Sequence, residues 1–254
     1  MSTRRPDTTP VAIASPVTGA KRTTGLLSDG RGRPLAERLW ADDVTYPPTR
    51  RAASTRPDCR DGATVRPMGV ALGLRSGEGG SACIVVNADG GGVRVLARRP
   101  VALADPDWTL APFHAATAQP DRADEIIDGA ITFVGARAKA IVGEVIASLG
   151  ELVSIGVVLG NAPPPSRAHA LRSHVASHAA EGWLLRTALL DAATDTGVPV
   201  FATAERDVLP SLSAAWRTDA DALLTGLKLS GGAPWRKPEK LAAAVAILSL
   251  GSPP

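Results

Sequence analysis

Three short β-type segments between Met68 and Val101 constrain the fold of this chain more than any other feature. They cover Met68–Gly77, Ser81–Asn87 and Val93–Val101, and glycine-rich turns separate them. Apolar runs joined by a few turn residues are typical of β-hairpins. The sequence therefore predicts an antiparallel meander of three strands.

Beyond the meander, apolar periodicity predicts helices that alternate with strands. The predicted elements are a polar connection over Asp105–Pro120, a helix from Asp121 that Gly150 ends, a strand at Ser154–Gly160, a helix from Ser166 to about Thr194, a strand at Val198–Thr203, and helices at Leu212–Trp216, Asp219–Leu229 and Pro238–Leu250. Pro199 predicts that the last strand begins late or lies at an edge. A strand, a helix and a strand at this spacing should form a right-handed unit with parallel strands. We therefore predict an α/β fold, with a mixed sheet of three antiparallel and then two parallel strands between flanking helices.

Residues 1–67 differ in composition from the rest of the chain. They hold 8 of the 21 prolines, and they carry 12 Lys+Arg against 7 Asp+Glu, a net charge of +5. Residues 68–254 carry 16 Lys+Arg against 18 Asp+Glu, a net charge of −2. A stretch without apolar periodicity buries too little surface to offset its conformational entropy. We therefore predict that residues 1–67 are disordered and that residues 68–254 form a single domain.

Three interpretations of residues 1–67 are open. The natural protein could begin at Met68, which is the only methionine besides Met1 and stands directly at the first strand. The segment could instead be a basic arm that contacts nucleic acid, or a plain linker.

The apolar runs and the cysteines limit where the protein works. The longest apolar run, Leu241–Leu248, is well short of the roughly 20 residues that a membrane-spanning helix needs. The start of the chain lacks the apolar segment of a secretory signal, and Cys59 and Cys83 are too few for a disulfide framework. We therefore expect a cytoplasmic protein without a membrane segment.

The element order, together with the opening Gly69-Val-Ala-Leu-Gly-Leu-Arg-Ser-Gly77, resembles the ribonuclease H-like superfamily, and among its branches the Holliday-junction resolvases. The resemblance covers roughly Met68 to Leu250. In that family the first strand reads approximately apolar-Gly-apolar-Asp-x-Gly. The aspartate is one of several carboxylates that hold two divalent metal ions for phosphodiester hydrolysis.

The residues at the family's acidic positions are different here. Arg75 stands where the first-strand aspartate is expected, and a guanidinium repels Mg²⁺. The family's second acid usually ends the fourth strand, where this chain has Asn161, and its last acids lie on the final helix, where this chain has Glu239 beside Lys240. One carboxylate and one amide do not make a two-metal site. The resemblance therefore implies a nuclease fold with a degenerate catalytic site.

A second group of side chains that could bind a metal ion or transfer protons lies on the helix predicted from Ser166. His174 and His178 are four residues apart and Glu181 is three residues further on, so the three side chains project from one face. They could hold a divalent metal ion such as Zn²⁺, Mg²⁺ or Mn²⁺, with Glu181 as a third ligand or general base and His114 as a further ligand. Alternatively, His178 is a buried imidazole paired with Glu181 and the other histidines are solvated, because His178 falls on the apolar stripe of this helix, which also includes Val175, Leu185 and Leu189.

Five basic residues are candidates for contact with a phosphate backbone. They are Arg75 on the first strand, Arg98 and Arg99 at the end of the third strand, and Arg236 and Lys237 before the last helix. Pairs of surface cations are also common as simply solvated groups.

Two functions are compatible with these patterns. The first is a ribonuclease H-like domain that has lost catalysis and acts as a nucleic-acid-associated or protein-binding module without a cofactor. The second is a metal-dependent hydrolase or nuclease that uses the helix of His174, His178 and Glu181, with Glu181 and Glu239 as candidate catalytic residues. A homo-oligomer or a protein partner is compatible with either function.

Overall fold

The structure is a computed structural model that describes residues 69–77, 79–89, 92–104, 111–227 and 235–251. The predictions for residues 1–67 and for Met68 concern residues outside this described part. Its strands are β1 (Gly69–Gly77), β2 (Gly80–Asp89), β3 (Gly92–Ala102), β4 (Ser154–Leu159) and β5 (Val200–Ala204). Its α-helices are α1 (Pro112–Ala118), α2 (Ala123–Leu149), α3 (Arg167–Ala170), α4 (His174–Thr194), α5 (Glu205–Trp216), α6 (Ala220–Gly226) and α7 (Lys237–Ser249).

The five strands form one mixed sheet in the order β3-β2-β1-β4-β5. The central strand β1 pairs antiparallel with β2 and parallel with β4, and β4 pairs parallel with β5. The predicted α/β fold, a mixed sheet of three antiparallel and then two parallel strands with flanking helices, is therefore confirmed. Because β3 runs antiparallel to β2, the C-terminal ends of β1, β3, β4 and β5 all lie at one edge of the sheet. We call this end of the strands the C-terminal edge, as distinct from the two lateral edges formed by the outer strands β3 and β5.

Side chains of β1 alternate between two hydrophobic cores, one on each face of the sheet. Leu72 and Leu74 are fully buried in the core that α2 and α4 cover. Ala71 belongs to the second core, which α5, α6 and α7 cover on the other face. The sheet is therefore a buried middle layer, and polar side chains concentrate at its edges.

Two glycines allow α7 to lie directly on the sheet. A Cβ atom at Gly73 would collide with the carbonyl oxygen of Ala242, and one at Gly156 would collide with that of Val245. The two glycines are paired neighbours on β1 and β4. Their lack of side chains lets α7 pack closely, with its first turn near the C-terminal edge.

The helix predicted from Ser166 to Thr194 is interrupted, so that prediction is wrong in part. The hydroxyl of Ser166 accepts from the amide of His169 and caps α3, and the hydroxyl of Ser173 accepts from the amide of Ala176 and caps α4. A second serine cap offers the backbone an alternative to a continuous helix. As a result, His174 is the first residue of α4.

Other boundaries also differ from the prediction. The predicted connection over Asp105–Pro120 contains α1, which buries Phe113 and begins with a proline at a position that helices tolerate. The helix predicted at Leu212–Trp216 begins earlier, at Glu205, and contains Pro210. A proline inside a helix is normally a sign of a break, so its presence hid the first half of this helix from the sequence pattern. β5 begins after Pro199 and lies at an edge of the sheet, as predicted.

Among the helices that the structure describes, none has the length and the apolar character needed to cross a membrane.

Candidate functional site

Arg75 lies near the end of β1, on the face that α7 covers. One nitrogen of its guanidinium donates to Oε2 of Glu205 at 3.1 Å. Both side chains are largely buried, with 18% and 16% of their surface exposed. Glu205 begins α5 directly after β5, so the C-terminal edge brings the two residues together across 130 positions of sequence.

Glu205 has a second cationic partner. Nζ of Lys237, the first residue of α7, lies 2.9 Å from Oε1 of Glu205. Partial burial alone would raise the pKa of the Glu205 carboxyl, but the hydrogen bonds from Lys237 and Arg75 outweigh it and hold that pKa below its ordinary value of 4.5. Glu205 is therefore an ionised carboxylate with a cation on each oxygen.

Glu239 is held in a similar way. Its Oε1 accepts from the guanidinium of Arg98 at 2.8 Å, and its Oε2 accepts from the backbone amide of Arg236 at 3.2 Å. The second bond caps the first turn of α7. Glu239 thus ties β3 to α7.

We call Arg75, Arg98, Glu205, Lys237 and Glu239 the edge cluster. These residues do not fit the two divalent metal ions that the sequence resemblance implies. The strand that should supply a carboxylate supplies a guanidinium, and both carboxylates of the edge cluster are bonded on both oxygens by the groups described above. Adding two divalent cations here would place them beside three fixed positive charges.

A small cavity of about 190 Å³ opens beside the edge cluster. Its walls include Arg75, Arg98, Arg99 and Glu239. Arg99 is exposed, and so is Arg236 at the start of α7. Neither side chain forms an ion pair with a residue that the structure describes, and both reach solvent.

Asn161 follows β4 at the same edge. Its Oδ1 accepts a hydrogen bond of 2.8 Å from the backbone amide of Arg206, in the first turn of α5. Its side chain therefore satisfies a helix terminus that would otherwise lack an acceptor.

The histidines form a separate cluster, on the face of the sheet that α2 and α4 cover. We call His114, His174 and His178 the histidine cluster. Each offers a ring nitrogen within 4.8 Å of those of the other two. His114 comes from α1, whereas His174 and His178 come from the first two turns of α4. The packing of α1 against α4 thus brings in the third imidazole, which the sequence indicated only as a further ligand.

Glu181 lies beneath these rings and is buried. Its Oε1 is 2.8 Å from Nδ1 of His114, and its Oε2 is 3.5 Å from Nδ1 of His178. The predicted pairing of Glu181 with His178 is present, but the shorter contact is with His114. The alternative prediction of a buried His178 is wrong, because 62% of its side chain is exposed.

The burial of His178 was misjudged because α4 is rotated relative to the predicted apolar stripe. Val175, which the stripe placed inside, is 78% exposed, whereas Ala176 and Ala180 are buried. Small alanines carry little hydrophobic signal, so a pattern of larger residues alone misplaces the buried face.

Glu205 is the site residue that sequence reasoning missed. The signal was its position directly after a predicted parallel strand, because the C-terminal ends of parallel strands meet at one edge. Cys83 is no alternative nucleophile, since burial raises the pKa of its thiol to about 11 and keeps it protonated at neutral pH.

The chain thus combines a mixed five-stranded α/β fold with a cation-rich edge cluster. The solved structures similar to this chain include two of RuvC from Thermus thermophilus. RuvC of Thermus thermophilus in complex with Holliday junction substrate is 20% identical, with 73% of this chain and 100% of that chain covered and a TM-score of 0.44. A second Thermus thermophilus RuvC structure is 20% identical, with 70% and 92% covered and a TM-score of 0.40. No family model matches the sequence, and no curated protein matches it.

Proposed function

We propose that this protein is a catalytically inactive ribonuclease H-like domain that binds the phosphate backbone of nucleic acid at the C-terminal edge of its sheet. The observation that carries the proposal is the edge cluster. Arg75 stands where the resemblance predicts a metal-binding aspartate, and Lys237 shares Glu205 with it. The same groups that oppose metal binding favour a polyanion.

The loss of catalysis follows from the partners of the two carboxylates. Glu205 is bonded by Arg75 and Lys237, and Glu239 by Arg98 and a helix amide. Each would have to give up a close cationic partner to coordinate a metal ion. In-line hydrolysis needs the metal ions to polarise the phosphate and activate water, and these residues supply neither function.

The charge distribution supports a phosphate ligand. Five cations, Arg75, Arg98, Arg99, Arg236 and Lys237, stand near this edge with two carboxylates, a local charge of +3. Residues 68–254 as a whole carry a net charge of −2, so the positive charge is concentrated rather than general. Arg99 and Arg236 are exposed, and Lys237 has 74% of its side chain exposed. Exposed cations near one edge attract a phosphate backbone without reading base sequence.

Fluorescence anisotropy with a labelled duplex, a four-way junction and a single strand tests the proposal, in EDTA and at low salt. The informative variant is the double substitution Arg99→Ala and Arg236→Ala, because neither side chain supports the fold through an ion pair in the described part of the chain. We expect weaker binding to every DNA. The slope of log affinity against log salt should fall by about 0.9 for each lost contact with the duplex.

The matched control is Arg94→Ala, on the same strand as Arg99 but near its other end. Arg94 is exposed and faces Asp89 at 3.6 Å. It should bind DNA as the unchanged protein does. Equal binding by the double variant and this control would overturn the proposed interface. No binding at low salt would overturn nucleic acid as the ligand and leave an acidic protein surface as the partner that fits these cations.

The second candidate is a metal-dependent hydrolase at the histidine cluster, favoured by the meeting of three imidazoles. It is separated from the proposal by incubating the same DNAs with Mg²⁺, Mn²⁺ or Zn²⁺. We expect the DNA to stay intact. Cleavage that disappears in a His174→Ala variant would replace the proposal with this candidate.

A further inference from the structure

The histidine cluster has the composition of a metal site and lies away from the edge cluster. Three imidazoles converge from α1 and α4, whereas Arg75 lies on the other face of the sheet, under α7. The ring centroids are 4.5 to 4.7 Å apart in all three pairs. Nε2 of His114 lies 2.9 Å from Nδ1 of His174.

Glu181 gives the cluster a second feature of a metal site. Its carboxylate is buried and lies 2.8 Å from Nδ1 of His114, on the side of the ring away from His174. A carboxylate that accepts from one ring nitrogen of a histidine fixes the tautomer and leaves the other nitrogen with its lone pair. This carboxylate–histidine pairing is typical of imidazoles that bind metal ions.

We propose that His114, His174 and His178 bind one Zn²⁺ ion, with Glu181 positioning His114 rather than acting as a ligand. Imidazole nitrogens suit zinc, and three of them leave a fourth coordination position. That position would be open to solvent, because His174 and His178 are both exposed.

The distances are compatible with this assignment. Zinc–nitrogen bonds of about 2.0–2.1 Å in a tetrahedral site put ligand nitrogens about 3.4 Å apart. The nitrogens here lie within 4.8 Å of one another, so the site closes by small ring rotations. His178 is free to rotate because 62% of its side chain is exposed, whereas His114 is held in place by Glu181.

Bound zinc would also connect two helices that are distant in sequence. His114 lies on α1 and His174 on α4, 60 residues apart in the sequence. A metal ion that binds only the assembled site stabilises the folded state by mass action. We therefore expect zinc to raise the melting temperature of the full chain.

The test is a titration of the metal-free full-length protein with Zn²⁺ in competition with a chromophoric chelator. We expect one tight ion per chain, and we expect both His114→Ala and His174→Ala to abolish tight binding. His169→Ala is the matched control, because His169 is an exposed histidine on α3 whose side chain is outside the cluster. This control should bind zinc as the unchanged protein does.

Two further measurements distinguish a four-coordinate site built on the three histidines from zinc bound loosely by exposed histidines. Glu181→Gln should weaken zinc binding by about 10–100-fold, the usual effect of losing an outer carboxylate. Co²⁺ in place of zinc should give the strong visible absorption of a four-coordinate ion in the unchanged protein and not in His114→Ala. Circular dichroism of the metal-free variants shows whether they fold.

The result that overturns the proposal is tight binding that survives His114→Ala in a folded protein, since that binding would need only the pair on α4. The absence of any tight site in the unchanged protein also overturns it. Neither result bears on DNA binding at the edge cluster, which is measured in EDTA.

Discussion

At the scale of single residues, Arg75 and Glu205 come from the ends of two strands and meet 3.1 Å apart. An arginine can hold a carboxylate but cannot share a metal ion with it, so this one contact changes what the C-terminal edge can bind. The burial of both side chains makes the contact more than a surface ion pair. Its contribution to stability should therefore be measurable.

We predict that Arg75→Ala lowers the free energy of unfolding by about 1–3 kcal/mol at neutral pH, because Glu205 loses a buried charged partner. In the folded protein the pKa of Glu205 lies below its ordinary value of 4.5. The bonds from Arg75 and Lys237 to Glu205 therefore stabilise the fold fully above pH 4.5, and this stabilisation is lost as the pH falls through the folded pKa. Urea unfolding should therefore show that the stability difference between the unchanged protein and Arg75→Ala narrows as the pH falls below 4.5.

The control for Arg75→Ala is Arg94→Ala, which removes an exposed pair with Asp89. An exposed pair contributes about 0–1 kcal/mol, so this variant should change little at either pH. A loss of stability in Arg75→Ala that is equal at neutral and acid pH would contradict the role given to Glu205.

At the scale of elements, the approach of α7 to the sheet depends on two glycines that face it. Gly73 and Gly156 are side by side on β1 and β4, and each meets a carbonyl oxygen of α7. Because backbone atoms cannot move aside as a flexible side chain can, a methyl group here must shift the helix. The position of Lys237 and Glu239 therefore depends on these glycines.

We predict that Gly73→Ala destabilises the protein by about 1–3 kcal/mol or more through overpacking. The matched control is Gly143→Ala in α2, where an added Cβ atom has no neighbour within 4 Å. This control should stabilise by about 1 kcal/mol, because alanine is the better helix former. Thermal unfolding of both variants measures the difference, and the same sign for both would show that α7 does not pack as described.

At the scale of the whole molecule, the buried residues of both hydrophobic cores span Ala71 to Ile247 within the described part of the chain. Each face of the sheet is covered by helices that follow the meander. A single sheet shared by two cores should unfold as one unit, because loss of either core exposes the sheet.

We predict that residues 68–254 alone unfold in one transition, at the same melting temperature as the full chain. A fragment of residues 68–234, which lacks α7, should show no cooperative transition, because it leaves Ala71 and Ile84 without their covering helix. Scanning calorimetry compares the three proteins. A clearly lower melting temperature for residues 68–254 would mean that residues 1–67 contribute to the fold.

The sequence by itself determined the order of the five strands, the positions of most helices between them, the late start of β5 and the presence of Arg75 on the first strand. These features depend on local alternation, on proline and on residue identity, which need no knowledge of distant contacts. The sequence pattern did not predict the break before α4, because Ser166 and Ser173 each cap a separate helix within one apolar pattern. The sequence pattern also predicted the wrong buried face for α4, because alanines define that face.

Only the tertiary structure decided which side chains meet. Glu205 joins Arg75 across 130 positions, and Glu181 turns to His114 across 67 positions rather than only to its neighbour His178. Such contacts depend on how helices are packed on the sheet, and periodicity does not record packing angles. The sequence therefore named Arg75, Arg98, Lys237 and Glu239 without showing that they meet around Glu205. It named His114 only as a further ligand beside His174 and His178.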